Sequence, residues 1–233
     1  MKPGRTFLFS ISVILVFCQQ VFSQEEMAKD SVVYPEKFGV RVGVDLSKPV
    51  RSLLDDDYTG FEILGDYRVY RDYYAAVEFG NESFLYDEPN LKAETKGSYF
   101  KVGANYNAYS NWLDMQNSIY VGLRYGFSSF SETLESYSIY TDSDYFDPDI
   151  RTINQEYSDL TASWLEFQAG IKAEVLHNIF LGVHVELKRR LNQKAPTGFD
   201  NLYIPGFGKT YEGSFFGVGW GYSISYLIPI YSK

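Results

Sequence analysis

Apolar and polar residues alternate along most of this chain with a period of two. From Phe216 to Ile230 every even-numbered residue is apolar or aromatic: Phe216, Val218, Trp220, Tyr222, Ile224, Tyr226, Ile228 and Ile230. Gly217, Gly219, Gly221, Ser223 and Ser225 stand between them. Successive side chains of a β-strand point to opposite faces, so this spacing predicts a strand with one greasy side. Strands average about 5–6 residues in soluble domains, whereas a strand tilted through a bilayer takes about 9–11. The length and one-sidedness of this segment fit the second case.

Seven further segments repeat the pattern: 38–46, 61–69, 73–80, 99–108, 119–128, 165–175 and 179–188. In the first, Phe38, Val40, Val42, Val44 and Leu46 oppose Arg41 and Asp45. In the last, Ile179, Leu181, Val183, Val185 and Leu187 oppose Gly182, His184, Glu186 and Lys188. The connectors alternate in length. Those at about 47–59, 85–97, 129–161 and 191–213 are long; those at Tyr70–Asp72, 109–117 and Leu176–Asn178 are shorter. Long and short connectors therefore lie at opposite ends of one up-and-down structure. The predicted fold is all-β, a closed eight-stranded antiparallel up-and-down transmembrane β-barrel. Such barrels have short periplasmic turns and long outer loops, which sets both termini in the periplasm.

Alternation alone does not say which face points out, and a soluble lipocalin-like barrel around an apolar cavity is the rival. Three features favour apolar-out. Gly and Ser crowd the polar face, as side chains must inside a small barrel. Aromatics gather near both strand ends: Tyr70, Tyr73, Tyr74, Tyr109, Trp112, Tyr226 and Tyr231 at one, Phe61, Phe84, Phe127, Phe130, Trp164 and Phe216 at the other. Two girdles are expected at two lipid–water interfaces. The polar face also mixes signs. Arg41, Arg68, Lys101, Arg124, Lys172 and Lys188 stand against Asp45, Glu62, Asp66, Glu78, Glu166, Glu174 and Glu186. Unpaired charges in so narrow a lumen are costly, so a salt-bridged plug is expected rather than an ion path.

The chain opens with Lys2 and Arg5, an apolar run from Phe7 to Phe17, and Ser23 before Gln24. A basic start, a short apolar core and a small residue at the cut predict a secretory signal peptide over 1–23. Residues 24–36 read as a polar periplasmic lead-in and 37–233 as the barrel. Cys18 is the one cysteine, and bulky Phe17 before it argues against lipidation. Beyond residue 23 the chain has no thiol chemistry. There 19 Lys and Arg face 30 Asp and Glu, a net charge of −11. That excludes nucleic acid as an expected partner.

The segments Phe38–Pro49 (FGVRVGVDLSKP), Leu53–Phe61 (LLDDDYTGF) and Gly219–Pro229 (GWGYSISYLIP) resemble the small outer-membrane β-barrel proteins of the OmpA/OmpX-like superfamily. More narrowly they resemble an outer-membrane barrel family of the Bacteroidota. The resemblance covers most of 35–233. It implies an outer-membrane barrel handled by the barrel assembly machinery and carries over no functional residues. Such barrels usually end in an aromatic residue; here Ser232 and Lys233 follow Tyr231.

Chemical candidates are sparse. Some small outer-membrane barrels modify lipids with His, Ser and a carboxylate, and nucleophilic hydrolysis needs a base in reach of the hydroxyl. The two histidines are His177, in a short turn, and His184, inward beside Glu186, with no Ser fixed beside either by a motif. Asp142, Asp144, Asp147 and Asp149, with Asp55, Asp56 and Asp57, could offer oxygen ligands to a cation bridging lipopolysaccharide phosphates; solvated loop charge is the plainer reading. Phosphate-binding Gly loops, zinc spacings and redox motifs are absent from the sequence. No catalytic, cofactor or metal residues are assigned. The expectation is a monomer of structural or interaction type that meets outer-membrane lipids and lipopolysaccharide through its outer loops. The chief contact is placed on 129–161, with Tyr137, Tyr140, Tyr145, Phe146 and Tyr157. A lipid-modifying enzyme and passage of small solutes are the alternatives.

Overall fold

The computed structural model describes residues 37–109, 116–139 and 149–232. In chain order these form β1 (Lys37–Asp45), α1 (Ser47–Leu54), β2 (Tyr58–Tyr70), β3 (Tyr73–Glu88), β4 (Leu91–Asn107), β5 (Ser118–Ile139), β6 (Asp149–Leu176), β7 (Ile179–Gln193), β8 (Tyr203–Ile204), β9 (Gly208–Lys209) and β10 (Phe216–Ser232). Eight of the strands close into a barrel in the order β1-β10-β7-β6-β5-β4-β3-β2, every neighbour antiparallel. Closure joins first strand to last, with Lys37 opposite Ser232 and Asp45 opposite Ser223. It gives every strand a neighbour on each side, so that no strand is left as the free edge of an open sheet.

The alternation resolves into an outside and an inside. Val42, Ile63, Val77, Val102, Leu123, Phe167, Val183 and Ile228 are exposed on the outer surface. Arg41, Glu62, Glu78, Lys101, Arg124, Glu166, Glu186 and Lys188 are buried inside. The apolar face thus points out, the reverse of a soluble ligand-carrying barrel. The signal peptide and lead-in expected over 1–36 lie outside the described residues.

Several strands outrun the sequence pattern. The connector read at 85–97 is strand almost throughout, closed by a two-residue turn at Pro89-Asn90. The connector read at 129–161 is mostly a hairpin: β5 runs to Ile139, β6 starts at Asp149, and Ser136 pairs with Thr152. Pairing therefore runs on past 128, where the sequence pattern ended the strand. Two bulges bend this hairpin, with Asn154 and Asp159 at positive φ where β6 carries extra residues opposite β5. The physical reason the pattern ends early is that toward this end the outward positions turn polar, as at Asn81, Ser98 and Ser129. The apolar signal stops while backbone pairing goes on.

The girdles also need correction. Tyr70, Tyr73 and Tyr226 at one end and Phe61 and Phe216 at the other are exposed outside. Phe84, Phe130 and Trp164 are buried inside, and Tyr74 is on the inner side with the Arg41 guanidinium 5.8 Å from its ring. Each of these four is in phase with the inward charges of its own strand. Trp112 and the side chain of Tyr231 lie outside the described residues.

Candidate functional site: the sealed long-loop end of the barrel

Residues 194–215, between β7 and β10, turn back into the barrel mouth. The chain there carries the apolar run Tyr203-Ile204-Pro205-Gly206-Phe207, all buried. Strands β8 and β9 make a small hairpin, Tyr203 opposite Lys209 and Ile204 opposite Gly208. Ile204 and Phe207 pack with Tyr99, Phe130, Leu160, Ala162 and Trp164 into an apolar layer across the lumen. Phe207 meets Trp164 edge-on at 6.0 Å, and Tyr203 stacks on Phe84 at 4.7 Å. Gly206 is required at the tip: its φ is +80°, and a Cβ there would lie 2.5 Å from the Tyr99 ring.

One carboxylate collects the pieces of this seal. Glu82 accepts from Tyr58 Oη at 2.9 Å, Tyr203 Oη at 2.6 Å, the Gly206 amide at 2.9 Å and Lys48 Nζ of α1 at 2.7 Å. Burial and then Glu82 push the Tyr203 phenol well above its ordinary value. The phenol is thus held in its protonated form, as a donor. Lys188 Nζ, from the wall, donates to Gly206 O at 2.8 Å.

Beneath the seal lies a layer of charge. Lys101 Nζ lies 2.9 Å from Glu78, 3.4 Å from Glu62, 3.5 Å from Glu166 and 3.4 Å from Glu186. Arg124 joins Glu78 at 3.1 Å, and Lys188 joins Glu186 at 2.8 Å. Farther down, Asp66 pairs with Lys172 and, at 3.6 Å, with Arg41. Such pairing is what makes buried ions tolerable. Spaces of about 10 and 20 Å³ remain among these side chains, room for about one water each.

The expected inward charges are therefore brought together, with adjustments. Asp45 accepts from Ser47 at the start of α1. Glu174 accepts from the amides of Gln116 and Asn178 at the short-turn end, and Arg68 donates to Arg71 O in a turn. His184 stands inside, 3.2 Å from Glu186, and His177 is exposed in its turn. Asp142, Asp144 and Asp147 lie outside the described residues, as does the side chain of Asp149. No group of three His, Cys, Asp or Glu among the described residues could hold a metal.

The sequence reading missed Glu82, Glu132, Tyr99 and the Tyr203–Phe207 run. Glu82 and Glu132 continue the inward phase of Glu78 and Arg124 past the points where the strands were taken to end. A larger cavity, of about 570 Å³, opens between residues 198–202 and 210–213 and the β4–β5 wall at Leu91, Leu134 and Tyr137.

The chain as a whole, barrel and seal together, matches one family model. It belongs to the family described as Domain of unknown function (DUF6048), whose model spans residues 5–233. That DUF6048 match includes every strand and the sealing loop. Among solved structures this DUF6048 chain is similar to the crystal structure of Ail, the attachment invasion locus protein of Yersinia pestis. Identity there is 11%, with a TM-score of 0.42, covering 82% of this chain and 98% of that one. It is also similar to Ail in complex with the heparin analogue sucrose octasulfate, at 13% identity and a TM-score of 0.39 over the same shares. Among curated proteins none matches the chain.

Proposed function

We propose that this protein is an outer-membrane β-barrel of interaction type, non-conducting, with a sealed lumen and a working surface at its long-loop end. The observation that carries the reading is the seal itself. Glu82 ties α1, β2, β3 and the last loop together over a paired charge layer among whose side chains spaces of about 10 and 20 Å³ remain. A continuous apolar outer surface supports placement in a bilayer. The expected leader and the resemblance to outer-membrane barrels support the outer membrane.

The contact role rests on the β5–β6 hairpin. It projects beyond the belt and exposes Ile139, Ile150 and Ile153. Lipopolysaccharide is the proposed neighbour of this end. The test has two arms. Protein refolded into planar bilayers should give no stable ion-selective steps, and reproducible steps would overturn the seal. Cell fractionation should place the chain with outer membranes, migrating faster unheated than boiled in SDS gels. Recovery in the soluble periplasm would end the membrane reading.

A further inference from the structure

The barrel wall has a seam. β1 stops at Asp45, opposite Ser223 of β10, and its last partner on β2 is Ile63. Beyond that level β2 continues through Tyr58–Glu62 and β10 through Phe216–Tyr222. Among the described residues each of these stretches pairs with a strand on one side only, β3 and β7 respectively. The place of the missing strand is taken by α1. The Leu46 amide donates to Tyr222 O at 2.8 Å. Ser52 Oγ accepts from the Gly60 amide at 2.9 Å while donating to Lys48 O. The Tyr58 amide reaches Asp55 O at 3.1 Å. These bonds give the open edges of β2 and β10 some of the partners a further strand would have supplied, which matters in a wall where unpaired backbone groups are costly.

The two faces of α1 differ. Lys48 points in to Glu82, and the Arg51 guanidinium lies 3.9 Å from the Tyr58 ring centre. Val50, Leu53 and Leu54, spaced i, i+3 and i+4, share the other face. Leu53 and Leu54 are each 83% exposed. On β10, Val218 and Trp220 are 80% and 69% exposed, the most open large apolar side chains of the strands among the described residues. Below, this patch runs into the apolar belt through Val42, Phe61 and Ile63.

We propose that the seam between β2 and β10 is a lipid contact site. Val50, Leu53 and Leu54 enter the outer leaflet of the surrounding bilayer, where acyl chains cover them as they cover the exposed Val218 and Trp220 of β10. Continuity with the belt names lipid as the occupant, and Lys48, on the inner face of the helix, already has its partner in Glu82. Trp220, stacked on Tyr222 at 6.1 Å, marks the interface level where such rings settle. The proposal rests on the membrane reading above.

Cys18 is the one cysteine of the chain, so a Cys18→Ser background accepts single labelling sites. Leu53→Cys, Leu54→Cys, Val183→Cys in the belt and Asp56→Cys past the helix would each carry an NBD fluorophore in phosphatidylcholine vesicles. Probes at 53 and 54 should be quenched by shallow doxyl-labelled lipid at least twofold more than the probe at 56, and by iodide less. If 53 and 54 behave like 56 while 183 stays lipid-quenched, the seam proposal is wrong and the membrane reading stands. If 183 is also open to iodide, both fail. In a second arm, Leu53→Asp with Leu54→Asp should speed tryptic cleavage at Arg51 severalfold in vesicles. An unchanged rate would count against the helix being held by lipid.

Discussion

Tyr203 Oη lies 2.6 Å from Glu82, joining side chains 121 residues apart. This bond fastens the last loop to the wall of β3, and it shares its acceptor with Tyr58, Lys48 and Gly206. Hydrogen bonds to a charged group contribute about 1.5–3 kcal/mol, so Tyr203→Phe should destabilise the sealed state by about that much. Glu82→Ala strands several donors at once and should cost about 3–5 kcal/mol. Urea unfolding in vesicles gives the stabilities, and limited proteolysis at Lys209 reports the loop. An unchanged cleavage rate in Glu82→Ala would mean that the loop is held by its apolar packing alone.

Lys101 is the one cation within reach of Glu62, Glu78, Glu166 and Glu186 together among the described residues. Lys101→Met keeps the stem and removes the charge. It should cost about 3–5 kcal/mol, the scale of breaking a buried ion pair from one side. Adding Glu186→Gln should restore part of the loss, since one of the repelling carboxylates is gone; a fully additive double mutant would argue against a coupled layer.

The two faces of the wall should answer to opposite substitutions. Val183→Arg places a charge on the outer surface and should cost about 2–4 kcal/mol at mid-bilayer depth. Gly126→Ala acts from inside, where a Cβ would lie 2.2 Å from the Trp164 ring, and overpacking of this kind costs about 1–3 kcal/mol. Refolding yields in lipid vesicles check both. An undisturbed Val183→Arg protein would invert the assignment of faces.

Glu132 lies above the belt, where its neighbours Ser131 and Thr133 point outward. Burial pushes its carboxyl up to about 7, against hydrogen bonds from the Leu202 amide and Thr95 that lower it. The ordinary value is about 4.3. Between these two pH values the folded chain keeps a proton that the unfolded chain has lost, so stability falls as pH rises through the window and levels off above about 7. Glu132→Gln should flatten that fall. Midpoints measured from pH 4 to 8 would show it, and parallel curves for the two proteins would refute it.

The alternation of apolar and polar residues determined the strand directions, the barrel class and which charges look inward, because side-chain direction in a strand depends on position two residues apart and on nothing distant. Arg41, Lys101, Arg124 and Glu186 were legible on that ground. The same parity placed Glu82, Phe130 and Trp164 inside, but the apolar signal that marks a strand fades where its outer face leaves the belt, so their strands read as ended. The seal was decided by tertiary structure. Tyr203, Ile204 and Phe207 form an apolar run in a loop, and only the ring of Tyr99, Phe130, Leu160 and Trp164, gathered from three strands, gives that run a place to bury. The seam was decided in the same way. Nothing local to Ser47–Leu54 says that β1 ends early relative to β2 and β10; that follows from the stagger of three strands distant in sequence, which pairing around a closed ring fixes.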